Sequence, residues 1–131
     1  MSTAGSVLLD TTVVIAYFRG DATLRPRFVQ AAPLHLPWVV LGELHFGAQR
    51  AQRQQEQLLF IQDLLTYSVV LFPDRRTTEH YGQIKAELFR LGKPVPDNDL
   101  WIAAVAIQHD LPLATRDAHF LEFPHLTTLA W

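Results

Sequence analysis

The sequence predicts an α/β domain of three layers, with a central, mainly parallel sheet of four or five strands between helices. Three observations lead there. Short apolar runs of strand length recur at Val7–Leu9, Leu34–Leu36, Ser68–Phe72 and Leu113–Thr115. Between them lie segments whose apolar residues fall at helical spacing. The stretch Leu100–Gln108 is apolar almost all round, which places it in the interior or at an interface. Strands alternating with helices build βαβ units, and these give a parallel sheet covered on both faces. A chain of 131 residues, 49% of them hydrophobic, is the size of one domain with a sizeable core.

Taken in order, Val7–Leu9 is a fully buried strand with Asp10 emerging at its carboxyl end. Thr11 or Thr12 then opens a helix that runs to Phe18. Gly20 and Asp21 mark a stop and a new cap, followed by a short helix from Ala22 to Ala31. After the strand Leu34–Leu36, Pro37 suits a helix start, and a helix is predicted from Trp38 to Ala51. The next helix covers Gln54–Thr66, with Leu58, Leu59, Ile61, Leu64 and Leu65 expected on one buried face. Ser68–Phe72 is β-branched and ends at Pro73 and Asp74. A helix from Thr77 to Leu91 is closed by Gly92, and Lys93–Pro96 is a loop. Asp97 or Asn98 caps the interior helix, and Asp110 stands at the left-handed position after it. Leu113–Thr115 is the fourth strand, and Leu126–Leu129 is the candidate fifth, at the edge. No repeat, low-complexity tract or interdomain linker interrupts this pattern.

The bulk properties exclude several classes. A net charge of −2 and a pI near 6.3 do not suit a protein that coats nucleic acid by bulk attraction. An enzyme acting on nucleic acid would need local basic groups, and Arg25 with Arg27, Arg50 with Arg53, Arg75 with Arg76, Arg90 with Lys93, and Arg116 are candidates. The absence of cysteine rules out disulfides and thiolate metal sites and fits a reducing cytoplasm. No apolar stretch reaches membrane-spanning length, Met1–Gly5 carries no basic segment, and Val7–Leu9 is too short for a signal core. The six histidines show no HExxH spacing, so zinc is not expected. Phosphate-loop glycines and a serine nucleophile elbow are also missing.

What stands out is the placement of four acids. In a parallel α/β sheet the ligand site lies beyond the carboxyl ends of the strands. Asp10 closes the first strand, and Asp117 comes two residues after the fourth. Glu43 lies one turn into the helix after the second strand, and Asp99 sits in the first turn of the interior helix. All four can meet at one rim. Each also has a plain structural role open to it: Asp10 as a helix cap, Asp99 as a first-turn acid, Glu43 in solvent, Asp117 in a turn. Carboxylates among apolar residues need a compensating charge, and no lysine or arginine adjoins Asp10, Glu43 or Asp99 in sequence. Hard oxygen ligands suit magnesium or manganese, and such a centre hydrolyses phosphodiesters by water attack, leaving a 5′-phosphate and a 3′-hydroxyl. Asp97 is a fifth candidate, better placed as the helix cap. His119 reads as a partly buried or surface histidine, and Trp38 and Trp101 as core residues.

The segments Val7–Ile15, Glu43–Ala48, Pro96–Ala104 and Thr115–Phe120 resemble the successive motifs of PIN-domain nucleases, in the family's order, across nearly the whole chain. The similarity is to the VapC-type toxins of bacterial toxin–antitoxin pairs. It implies a single PIN-like domain over residues 1–131, a cytoplasmic homodimer, and cleavage of RNA dependent on magnesium or manganese. It also implies a cognate antitoxin that wraps the toxin and blocks its acidic pocket. Carried over by position, Asp10 and Asp99 are the expected direct ligands, with Glu43 and Asp117 acting through water. Thr12 and Thr115 are supporting hydroxyls that orient the acids. Two other readings remain: a catalytically silent PIN-like regulatory or scaffold module, and a phosphate-receiver domain. The second is disfavoured, because receivers need two adjacent acids at the first strand end, where Asp10 stands alone.

Overall fold

In a computed structural model, which describes residues 5–31 and 33–131, five parallel strands form one sheet. Residues 1–4, over which no targeting segment is expected, lie outside the described residues. The strands are β1 (Val7–Leu9), β2 (Leu34–Pro37), β3 (Ser68–Leu71), β4 (Leu113–Thr115) and β5 (Thr128–Ala130). The helices are α1 (Thr11–Phe18), α2 (Leu24–Gln30), α3 (Trp38–Arg50), α4 (Gln54–Thr66), α5 (Arg75–Arg90) and α6 (Asp97–Gln108).

The strand order is β3-β2-β1-β4-β5, and every neighbouring pair is parallel. The chain therefore winds outward in one direction from β1 to β3, then returns to the other side of β1 to lay down β4. This reversal between β1 and β4 is a topological switch point, where diverging connections open a crevice at the carboxyl ends. Val7, Leu8 and Leu9 are all buried, as a central strand covered on both faces requires. In α6, Leu100 and Ile102–Ala106 are buried as well, in keeping with its all-round apolar sequence.

Several boundaries depart from the sequence reading for local reasons. Helix α5 starts at Arg75, two residues early, because Asp74 caps it: its carboxylate accepts from Thr77 N, and Thr77 Oγ1 accepts from Asp74 N. Neither Asp97 nor Asn98 caps α6. The cap is Pro96, whose φ of −60° and extended ψ of 147° aim its carbonyl at the first turn, where it accepts from Leu100 N at 3.2 Å. Helix α2 is shorter than predicted, and β5 lies further along, at Thr128–Ala130 instead of Leu126–Leu129. In α4 only Ile61 and Leu64 are buried, while Leu59 is 59% exposed, so the apolar stripe is wider than the face it buries. Trp38 and Trp101 are half-buried; Trp38 packs against the core, while Trp101 lies outside it. Their rings meet edge to face at 5.7 Å, and Tyr81 stacks on Trp101 at 3.9 Å. Asp110 does take the left-handed conformation, at φ 53°, with the paired bonds Leu111 N to Ala106 O and Asp110 N to Ile107 O that close α6.

Candidate metal-dependent active site

The crevice at the switch point is built from the ends of β1 and β4. Leu9 pairs with Ala114, so Asp10, just past β1, stands beside Thr115, the last residue of β4. Asp10 N donates to Ala114 O at 3.0 Å, and the Thr115 hydroxyl donates to Asp10 Oδ2 at 2.8 Å. Thr12, on the first turn of α1, donates to the same oxygen at 2.7 Å. Asp10 has the extended backbone of a helix cap, yet its side chain makes no capping bond. The residue is 4% exposed, and its carboxylate is held by two hydroxyls through one oxygen.

Those hydroxyls are themselves held. Arg116 N donates to Thr12 Oγ1, and Asp117 N donates to Thr115 Oγ1, both at 3.0 Å. Each threonine thus receives a main-chain N–H and spends its single proton on Asp10 Oδ2. Oδ1 takes no hydrogen bond from the described residues and is the oxygen left for a ligand.

Glu43 lies half-buried on α3 and accepts from Thr11 Oγ1 at 3.0 Å. Burial raises its pKa, with a further contribution from Asp10, against the lowering effect of Thr11. Asp99 enters from the first turn of α6, and its pKa is raised to about 6. Burial is the largest cause, followed by the charges of Asp117, Asp10 and Glu43. Asp99 therefore feels all the other acids. The structure brings the four predicted carboxylates to one rim.

Ligand atoms of Asp99, Asp117 and His119 lie within 4.8 Å of one another, close enough to share one cation. Asp117 accepts from its neighbour His119 N at 2.9 Å, and His119 Nδ1 approaches the same carboxylate at 3.3 Å. Two carboxylates and an imidazole form a donor set able to hold a divalent ion of the manganese type, which would also offset the charges that raise the Asp99 pKa. The residues present fit such an ion.

Asp97 does not join them. It accepts from Tyr81 Oη at 2.8 Å and pairs with Lys85 at 3.2 Å. Sequence reading passed over two groups that the fold places at the site. Thr11 has only the signature of a helix opener, and nothing in the sequence links it to a glutamate 32 positions away. His119 had a signal, its two-residue spacing from Asp117, but that spacing alone does not separate a ligand from a surface histidine.

The PIN domain family matches residues 7–126, which span every element of the crevice. The chain belongs to the PIN domain family. Within that family it is 31% identical to ribonuclease VapC2 of Haemophilus influenzae over 117 residues, covering 88% of this chain and 89% of the relative. It is 32% identical over 117 residues to the tRNA(fMet)-specific endonuclease VapC of Shigella flexneri, with the same coverage. Among solved structures, a chain of the DNA-bound VapBC complex of Salmonella typhimurium superposes with a TM-score of 0.89 at 28% identity, covering 95% of this chain and 96% of that one. No helix among the described residues is long and apolar enough to cross a membrane.

Proposed function

We propose that residues 1–131 form a single PIN nuclease domain that hydrolyses RNA phosphodiester bonds as the toxin of a toxin–antitoxin pair, using magnesium or manganese. The observation that carries this reading is the position of Asp99, a half-buried carboxylate whose pKa is raised by burial and by Asp117, Asp10 and Glu43 together. Four acids at one rim, offset among the described residues only in part by His119, are costly unless an ion joins them. The ribonuclease and endonuclease names of the VapC relatives supply the substrate class.

In this reading Asp99 and Asp117 are direct ligands, Asp10 offers Oδ1, and Glu43 binds or orients the attacking water. His119 is an added donor that favours manganese. Asp117 therefore ranks above the indirect role that the family resemblance implies. A divalent ion held there polarises the phosphoryl oxygen and lowers the pKa of water. Thr12 and Thr115 hold Asp10 in one orientation, and Thr11 does the same for Glu43.

The protein acts in the cytoplasm as a homodimer and is silenced by a cognate antitoxin, the partner that the VapBC complexes carry. A groove of about 370 Å³ between α1, α3 and α4, lined by Ile15, Phe18, Leu44 and Phe60 with Arg19 and Arg50, offers an apolar and acidic antitoxin segment a seat.

The test is cleavage of total RNA with magnesium, with manganese and with chelator, by the wild type and by Asp10→Asn and Asp99→Asn. The expected result is metal-dependent cleavage leaving 5′-phosphate and 3′-hydroxyl ends, with both cleavage and growth arrest abolished in the folded variants. Full activity in either variant removes the acids from the mechanism. A wild type inactive with every metal tested points to the silent scaffold instead.

A further inference from the structure

Arg116 stands between Thr115 and Asp117 at the exit of β4, yet its side chain turns away from the carboxylates. Nη1 lies 2.7 Å from Asp21 Oδ2 in the turn between α1 and α2. Nε donates to the Trp131 main-chain carbonyl at 2.7 Å, just past β5, and Nη2 donates to Thr23 Oγ1 at 3.4 Å. The Arg116 N–H, meanwhile, donates to Thr12 Oγ1. One residue is thus bonded at both ends, its main chain to the start of α1 and its side chain to the turn beyond α1 and to the far edge of the sheet.

The acceptor in this arrangement is itself fixed. Asp21 accepts from Thr23 N at 2.9 Å and from Thr23 Oγ1 at 2.6 Å. Hydrogen bonds from Thr23 and Arg116 hold its carboxyl down to about 2, so the pair stays ionic throughout the working pH range. A planar guanidinium can serve a carboxylate and a carbonyl at once in defined directions, which a lysine ammonium does not reproduce.

The residues on either side of Arg116 are the ones the site depends on. Thr115 donates to Asp10 Oδ2, and Asp117 lies within ligand-sharing distance of Asp99. The exit of β4 is a short loop, and hydrogen bonds from Asp117 N and Arg116 N are its ties to the threonines. We propose that Arg116 is a positioning residue: by clamping the β4 exit to Asp21 and to the Trp131 carbonyl, it sets Thr115 and Asp117 against Asp10 and Asp99. The inference rests on reading those acids as the catalytic cluster. It assigns Arg116 and Asp21 to site geometry, not to contact with RNA.

The experiment compares wild type, Arg116→Ala, Arg116→Lys, Asp21→Asn and the double variant Asp21→Asn with Arg116→Ala. For each, manganese affinity is measured by calorimetry and kcat and KM on RNA by single-site cleavage, with folding checked by circular dichroism. Displacements of an ångström in a catalytic constellation cost up to about 100-fold. Arg116→Ala and Asp21→Asn are expected to lower kcat about tenfold or more and weaken manganese binding several-fold, with KM nearly unchanged. The double variant should be no worse than Arg116→Ala, and Arg116→Lys should not restore activity. Asp21→Asn is nearly isosteric, so it stands as the test if Arg116→Ala fails to fold. Wild-type manganese affinity in Asp21→Asn and in a folded Arg116→Ala overturns the clamp. So does a rise in KM with kcat unchanged, which marks a direct substrate contact, or strict additivity in the double variant. If the wild type itself does not cleave RNA, the functional reading fails, while the manganese affinities still decide for or against the clamp.

Discussion

Asp99 concentrates the electrostatic cost of the site, since burial and three neighbouring acids all oppose its charge. Neutralising it should therefore stabilise the metal-free protein while removing function, the trade expected where a site is strained for its task. Asp99→Asn is expected to add about 1 kcal/mol after allowance for solvent screening, a rise of a few degrees in the metal-free thermal midpoint. Scanning calorimetry with chelator present checks this. His35 gives a second residue-scale test, away from the site. Its Nδ1 is buried without a hydrogen-bond partner, and burial, then the charge of His109, lowers its pKa below the ordinary 6.5. Above 6.5 the imidazole is neutral in both states. As pH falls, the unfolded chain takes the proton first, and stability is lost until the folded state is protonated too. His35→Leu should flatten that acid limb on the acid side of 6.5, as read from urea midpoints. It should also raise stability at neutral pH by about 1 kcal/mol, because an unsatisfied polar group leaves the interior.

At the scale of elements, the helix ends show how local chemistry is read and misread. The periodicity of α5 was legible, but its start was not, because Thr77 looks like a cap and is in fact the third residue inside. Asp74 does the capping and also accepts from the Gln108 amide at 2.8 Å, joining α5 to α6. Asp74→Ala should lower the denaturant midpoint with little change in the specific activity of the folded protein, measured by urea unfolding beside the RNA assay. The start of α6 differs from its sequence signature for the opposite reason. Two good capping residues follow Pro96, but its backbone angles already serve the first turn, which leaves Asp97 to pair with Lys85 and Tyr81. The apolar run of α4 predicted its helix correctly and overstated its buried face, since the neighbours of an element, not its own sequence, decide how wide a face they cover.

For the whole molecule, the divalent ion should behave as a structural ligand as well as a cofactor. Manganese added to the metal-free protein is expected to raise the thermal midpoint with a dependence on concentration set by its affinity, and chelator to reverse the rise. Asp10→Asn should weaken that response and Asp99→Asn should nearly abolish it. The proposed homodimer predicts a sedimenting mass of twice the 14.9 kDa chain at micromolar concentration; a single-chain mass there would exclude a tight dimer.

Alternating strand and helix patterns, which depend on neighbours within a few residues, were enough by themselves to determine the α/β class, the parallel sheet and the rim on which strand-end acids emerge. Asp10 and Asp117 were legible as candidates because each follows an apolar strand, Glu43 because it lies within an apolar helical stretch, and Asp99 because it opens one. The tertiary structure alone decided the strand order that sets β1 beside β4, and with it the crevice. It also decided the pairing of Thr11 with Glu43, the approach of His119 to Asp99, and the reach of Arg116 to Asp21 and Trp131. These contacts join segments far apart in the chain, and no local propensity encodes them. They form because a parallel sheet delivers its strand ends to one edge, where side chains that never meet in sequence share a few ångströms of space.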